Sequence, residues 1–345
     1  MGIVPKIGAA IGWAAVAAGV GLAGRRLMAR SRRPVDLADQ VVLITGGSRG
    51  LGFLLAREFG REGCRVAICA RNDLELQRAK EELEGYGFEA MTVRCDVAVR
   101  DQVERMVQEI TRRWGGVDVL VNNAGIIQVG PIHSMTVADF EQAMGVMYWG
   151  VLHPILSVLP QMRERRNGRI VNITSIGGKV SIPHLLPYNS AKFAAMGLSE
   201  GLRAELARDG ITVTTIVPGL MRTGSHINAY FKGRQDREYT WFALGASLPL
   251  VSMDAERAAH QIVEAVKRGE AERVLSLPAT ALTFFHGLFP GTTANVLGIV
   301  NRVLPRGNGS EAAMSRGMEV QDRMHSSVLT ALTGWGLSAA RKFQR

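Results

Sequence analysis

The chain has 345 residues, 47% of them hydrophobic and 21% charged, which suits one large domain with attachments. Its formal net charge of +10 sits at the ends: residues 1–33 hold six Lys or Arg and no acid, residues 302–345 hold seven bases against three acids, and the middle is neutral. A neutral body argues against a nucleic-acid reader, which needs its basic patch on the folded surface. An odd count of three cysteines, Cys64, Cys69 and Cys95, with no C-x-x-C pair, argues against a disulfide framework or a zinc site.

Residues 7–24 form a weakly hydrophobic stretch without a charge, close to the lower length limit for a membrane-spanning helix. Arg25, Arg26, Arg30, Arg32 and Arg33 follow it, and that flank is expected to stay in the cytosol. The pattern predicts a single-pass, uncleaved anchor; a cleaved signal peptide and a peripheral helix are the alternatives. Basic ends on a neutral body also fit contact with anionic lipid.

From residue 38, short β-rich runs alternate with amphipathic segments. Strands are predicted at 41–45, 65–70, 90–95, 117–122, 169–174, 211–217 and 273–277, with long helices near 137–165 and 188–209. Apolar strands separated by helices predict an α/β fold with a doubly wound, Rossmann-type parallel sheet. Its ligand belongs beyond the carboxyl ends of the strands. The expected division is an anchor and basic flank at 1–33, one catalytic domain at 34–277, and an apolar, helical extension at 278–345.

The segment "TGGSRGLG" (45–52) directly follows the first strand. It satisfies G-x-S-x-G, which would make Ser48 a nucleophile, and it also reads as a turn whose backbone N–H groups meet a pyrophosphate. A hydrolase needs a later acid and then a His, and none of the seven histidines stands in such a place. The phosphate reading has its glycines, Gly46, Gly50 and Gly52, where a helix begins. At the end of the second strand, "CARN" (69–72) puts Arg71 where an acid would select NAD(H). Arg71 and Arg49 together favour NADP(H), since two guanidiniums can pair with a 2′-phosphate.

"SIGGKVSIPHLLPYNSAKF" (175–193) carries the candidate chemistry. Tyr188 and Lys192 lie one helical turn apart on one face. A phenol with an ordinary pKa of ~10 suits neutral acid–base work only if its anion is stabilised, and the expectation is that the Lys192 ammonium and a bound nicotinamide cation together do this. Ser175 ends a strand, where it can bond a substrate oxygen.

With "TGGSRGLG", "CDV" (95–97), "NNAG" (122–125), Ser175, "YNSAK" (188–192) and "PGLMRT" (218–223), residues 38 to about 277 resemble the short-chain dehydrogenase/reductase family. The resemblance implies a cofactor turn formed by Gly46, Ser48, Arg49, Gly50, Leu51 and Gly52. It implies an adenine pocket at Asp96 and Val97, and support from Asn123, Ala124 and Gly125. It further implies nicotinamide contacts at Pro218, Gly219 and Thr223, and catalytic roles for Ser175, Tyr188 and Lys192, of which Tyr188 and Lys192 also hold the cofactor. A homodimer or tetramer is the family-level expectation. One position departs: Met147 in "VMYWG" stands where the family usually has an Asn associated with a backbone kink and a proton relay.

The resemblance implies that the aromatic segment 224–252 covers the substrate; read as a mobile apolar lid it fits a lipophilic alcohol or ketone, and a partly disordered surface loop is the alternative. His184, four residues before Tyr188, reads as a solvated loop residue, with contact to the substrate as the alternative. Residues 278–304 are apolar but broken by Pro290, and fit packing over the pocket or lying in the membrane interface. Residues 305–313 read as a linker, and Met314, Met318, Gln321, Met324 and Val328 trace one helical face. These observations predict a membrane-anchored, NADP(H)-dependent oxidoreductase with a cytoplasmic catalytic domain, acting on a carbonyl/hydroxyl pair without a metal. The alternatives are a catalytically impaired nucleotide-binding or interaction protein and, remotely, the Ser48 hydrolase. If proton supply runs through groups other than residue 147, Met147→Asn preserves or raises turnover per folded molecule, as steady-state kinetics on a stably folded variant will show.

Overall fold

The central strands are apolar at consecutive positions, and burying such runs takes cover on both faces. The computed structural model describes residues 34–247, 252–306, 313–324, 338 and 342–343, and there the cover is complete. β1 (Val41–Thr45), β2 (Arg65–Ala70), β3 (Ala90–Arg94), β4 (Val119–Asn122), β5 (Gly168–Ile173), β6 (Ile211–Pro218) and β7 (Glu272–Leu275) form one seven-stranded sheet. All its pairings are parallel, in the order β3-β2-β1-β4-β5-β6-β7. The strand boundaries differ from the sequence reading by one or two residues at most. The anchor predicted within residues 1–33 lies outside the described residues.

Alternation along each strand divides the core in two. Val42 and Ile44 of β1 face α1 (Gly50–Arg61) and α8 (Ala255–Lys267), packing with Leu54, Phe59 and Ile262. Val41 and Leu43 face α3 (Arg100–Trp114) and α5 (Gly150–Arg165), packing with Met106, Ile110 and Ile155. The helix α2 (Asp73–Gly85) starts at Asn72, whose side chain accepts the backbone N–H groups of Leu74 and Glu75 at 3.0 and 3.2 Å.

The strand order reverses between β1 and β4, and the two strand ends are bonded together there. Thr45 Oγ1 accepts the backbone N–H groups of Asn123 and Ala124 at 3.0 and 3.1 Å. The Asn123 amide donates to the carbonyls of Thr45 and Gly46 at 3.0 and 3.1 Å. The turn between β1 and α1 can lie this close because Gly46 takes a φ of +65° and Gly52 has no side chain: a Cβ at Gly52 would stand 2.1 Å from the Gly46 carbonyl oxygen.

The helix expected over 137–165 is broken. α4 (Val137–Met144) runs into a π-helical turn at Gly145–Trp149 before α5 begins. Pro154, the fifth residue of α5, has no N–H to return to the preceding turn, which favours a ladder shift there. By length and composition Val137–Arg165 could cross a membrane, but Val151, Ile155 and Val158 belong to the core beneath the sheet.

The C-terminal stretch folds back onto the body. α9 (Leu277–Leu288) and α10 (Pro290–Val303) form a helical pair. Ser315–Arg316 then adds antiparallel to Tyr230–Phe231, which pairs in parallel with Gln128–Val129. α11 (Gly317–Met324) packs on α7 (Gln235–Ser247), with Val320 against Tyr239 and Phe242. The methionine stripe is therefore corrected in part: Met314 precedes the strand and Met318 is 52% exposed, whereas Gln321, which accepts the Tyr239 hydroxyl at 2.8 Å, and Met324 face inward with the buried Gly317 and Val320. The intervening strand restarts the helical period at residue 317; Val328 lies outside the described residues.

Gly52→Ala is expected to cost about 1–3 kcal/mol through overpacking against a fixed carbonyl. A lowered midpoint in thermal unfolding will show it. Gly197→Ala, on an open face of α6 (Leu186–Leu206) with nothing within 4 Å, leaves the midpoint equal or higher.

Candidate active site

The carboxyl ends of β1, β2, β4, β5 and β6 open onto one cleft of about 1040 Å³. All of the candidate residues line it: the glycine turn with Ser48, Arg49 and Leu51, then Arg71, Asp96, Val97, Asn123, Ala124, Gly125, Ser175, Tyr188, Lys192, Pro218, Gly219 and Thr223. The cradle that glycine leaves at positions 46 and 52 fits a dinucleotide diphosphate.

The adenosine end differs from expectation at one residue. Arg49 is bonded to Glu75 at 2.8 Å, and Ser48 donates to the same carboxylate at 3.0 Å. Arg49 therefore carries a counter-ion from α2, which the sequence reading missed because Glu75 lies beyond the motif. Arg71 is exposed at the lip and has no ion-pair or hydrogen-bond partner among the described residues. With its hydroxyl on Glu75 and no histidine beside it, Ser48 lacks the base that the hydrolase reading requires.

At the chemical centre, Ser175 follows β5 and caps a short turn, its Oγ accepting the Gly177 N–H at 3.0 Å. That turn lies against α6 so closely that a Cβ on Gly178 would stand 2.7 Å from the Lys192 carbonyl oxygen. Lys192 is 5% exposed and its Nζ donates to the Ile173 carbonyl at 2.8 Å, with the Tyr188 ring centroid 5.9 Å away. Burial lowers the Lys192 pKa to about 8. Burial raises the Tyr188 pKa, and a side-chain hydrogen bond with Ser175 opposes the rise. The expected acidification of Tyr188 by Lys192 is thus absent from the protein alone: the amine is directed at a strand-end carbonyl, and desolvation governs the phenol.

Met147 is fully buried with Ile126, Ala143 and Ala191, and Tyr188 packs against this cluster. The backbone irregularity that the family associates with Asn is present here as the π-helical turn around Met147. A Met147→Asn side chain would enter an apolar cluster, so its turnover has to be read per folded molecule.

The wall opposite the glycine turn is apolar, formed by Ile127, Ile182, Leu185, Leu220, Trp241 and Phe242. His184 is not solvated, contrary to the sequence reading. It is 7% exposed, has a φ of +63°, and its Nδ1 lies 2.9 and 3.0 Å from the two oxygens of the fully buried Glu238. Trp241 donates to the same carboxylate at 2.7 Å, so α7 is tied to the loop that leads into α6. Asn189 secures that loop from the other side, donating to the Ile182 carbonyl at 2.7 Å. The 54-residue separation of His184 and Glu238 gave no local signal.

The sequence profile of the short chain dehydrogenase family matches residues 40–231. The chain belongs to this family. It is 37% identical over 210 residues to the Danio rerio dehydrogenase/reductase SDR family member 7B, covering 59% of this chain and 68% of that protein. Among solved structures, a short-chain dehydrogenase from Streptomyces avermitilis superposes with a TM-score of 0.67 at 29% identity, covering 76% of this chain and 98% of that one. An actinorhodin polyketide ketoreductase with NADPH gives 0.59 at 30% identity, covering 69% and 95%. The family match ends at Phe231, so Trp241 and Phe242 of the apolar wall and all of α9, α10 and α11 lie beyond it.

Below that wall, His226 is 1% exposed, neither ring nitrogen has a partner, and burial lowers its pKa to about 4. The unfolded chain takes up a proton below about 6.5 that the folded chain refuses until about 4. This group's contribution to stability is therefore complete above 6.5 and lost as the pH falls toward 4. Between pH 7 and pH 5 the loss amounts to about 2 kcal/mol. In parallel denaturant titrations, His226→Phe should show a shallower acid destabilisation than the wild type.

Proposed function

We propose that this short-chain dehydrogenase is an NADP(H)-dependent reductase of a lipophilic ketone, working at a membrane surface. The observation that carries the reading is the convergence of Ser175, Tyr188 and Lys192 in a cleft with a diphosphate cradle at one end and an apolar wall at the other. A bound NADPH supplies hydride. Ser175 Oγ positions the substrate oxygen and Tyr188 donates its proton to it. Burial raises the Tyr188 pKa in the protein alone, so its phenolate has to be stabilised by the Ser175 hydrogen bond and by the bound cofactor for proton transfer to be efficient near neutral pH. Lys192 holds the strand end against α6 and, as a buried amine, orients the cofactor ribose.

Preference for NADP(H) rests on Arg71, which is exposed and unpaired among the described residues where the ribose phosphate belongs; Arg49, engaged by Glu75, is the weaker ligand. The membrane part of the reading rests on α9 and α10. Leu277, Leu288, Ile299 and Val303 are 85%, 72%, 61% and 84% exposed, and neither helix contains an acidic residue. Pro278, Ala279 and Leu282 of α9 line the cleft itself, so this apolar surface is continuous with the site. A lipid surface with anionic head groups matches both its apolar face and the adjacent Arg302 and Arg306. Within this reading the segment 1–33 serves as the tether and the catalytic body faces the cytosol.

NADPH oxidation by detergent-solubilised protein across a panel of long-chain ketones tests the proposal. Tyr188→Phe should lower kcat/KM at least about 100-fold while the NADPH Kd stays within a fewfold. Arg71→Ala should raise the Kd for NADPH about tenfold or more and leave that for NADH nearly unchanged. Binding without oxidation of any ketone would favour a nucleotide-binding protein instead.

A further inference from the structure

We propose that Arg316 is an anion-recognition residue at the substrate mouth, and that the substrate is an amphiphile with an acidic group, a carboxylate or a phosphate, at the end remote from its apolar chain. This deepens the reductase reading above and rests on it.

Among the described residues that line the cleft, the charged groups divide sharply. Arg49, Arg71, Asp73, Glu75, Arg94 and Asp96 surround the adenosine end. Lys192 is buried and bonded to the Ile173 carbonyl. Away from them, among apolar and uncharged polar side chains, stands a single further charge, Arg316. Its guanidinium makes no ion pair or hydrogen bond with another described residue; the nearby Glu319 carboxylate accepts the Arg316 backbone N–H at 3.1 Å.

The position of Arg316 is built. It is the Cα partner of Tyr230 in the antiparallel pairing of Ser315–Arg316 with Tyr230–Phe231. Residues directly opposite in such a pair project to the same face of the sheet. The guanidinium carbon lies 5.8 Å from the centroid of the Tyr230 ring, which also lines the cleft. Stacking on an aromatic face limits the rotamers of a long side chain while leaving its N–H fork free to donate. Behind it, the Gly317 N–H donates to the Ala229 carbonyl at 2.8 Å and α11 packs on α7, so the C-terminal segment delivers this one charged group to a part of the cleft otherwise lined by apolar and uncharged polar residues. An unpaired guanidinium at the mouth of an apolar cleft favours an anionic group on a ligand whose remainder is apolar. A neutral ketone would leave it idle.

The test uses the full chain in detergent with NADPH and four ketones of one chain length, ending in a carboxylate, its methyl ester, a phosphate or an amine. Calorimetric binding of dodecanoate, dodecyl phosphate and dodecanol provides a readout independent of turnover. The wild type should prefer the acidic ketones over the ester by about tenfold or more in kcat/KM, with the preference falling as salt rises. Arg316→Ala should abolish the ratio, Arg316→Lys should keep part of it, and Arg316→Glu should shift it toward the amine. Comparison of the carboxylate with the phosphate identifies which acid the site takes. An ester reduced as well as the acids by the wild type, or a charge reversal that changes all four ketones equally, overturns the proposal. If no ketone is reduced at all, the reductase reading fails. The anion site is then judged by calorimetry: it stands if dodecyl phosphate or dodecanoate binds more tightly than dodecanol and Arg316→Glu removes the difference, and falls otherwise.

Discussion

Lys192 reaches from the inner face of α6 to the last carbonyl of β5, and the arrangement of the site depends on that contact. A buried ammonium without a strong acceptor is costly, so the Ile173 carbonyl constrains how α6 lies against the sheet. With α6 held there, Tyr188 one turn earlier faces Ser175 at the end of the same strand. The turn beyond Ser175 can lie between them because Gly177 and Gly178 present no Cβ to α6. The site is thus one strand end and one helical turn clamped through a single side chain.

Tight packing at the other end of the cleft obeys a similar constraint. The Asn123 amide bonds the Thr45 and Gly46 carbonyls across the reversal of strand order, and α1 begins so near the turn that only glycine fits at residue 52. Both strand ends expose their polar groups where a ligand is expected, while the apolar residues behind them supply rigidity. The proposed acid and its cofactor cradle therefore share one scaffold, and neither can move without disturbing the sheet.

Met147 shows how a residue and a geometry can separate. The π-helical turn persists with an apolar side chain inside it, because the core beneath it and Pro154 just beyond shape the backbone there. The apolar cluster that results lies behind Tyr188 and adds to the desolvation of its phenol. In the protein alone burial keeps the Tyr188 phenol protonated, and Lys192 holds the strand end against α6.

The parallel sheet, the glycine turn and the Ser175–Tyr188–Lys192 spacing were all legible in the chain, because each depends on local chemistry: apolar runs, helical periodicity, and residues that alone tolerate a close backbone approach. The site's electrostatics were not. Arg49 meets Glu75 from α2, His184 meets Glu238 from α7, and Arg316 arrives from the far end of the chain to stack on Tyr230. Residues so distant in sequence leave no periodic or spacing signal, and burial, which sets the protonation of Tyr188 and His226, comes into existence only when the layers close. Local pattern was enough to bring the candidate residues to one cleft; which charges are free, paired or buried was settled by the packing of elements that the sequence keeps far apart.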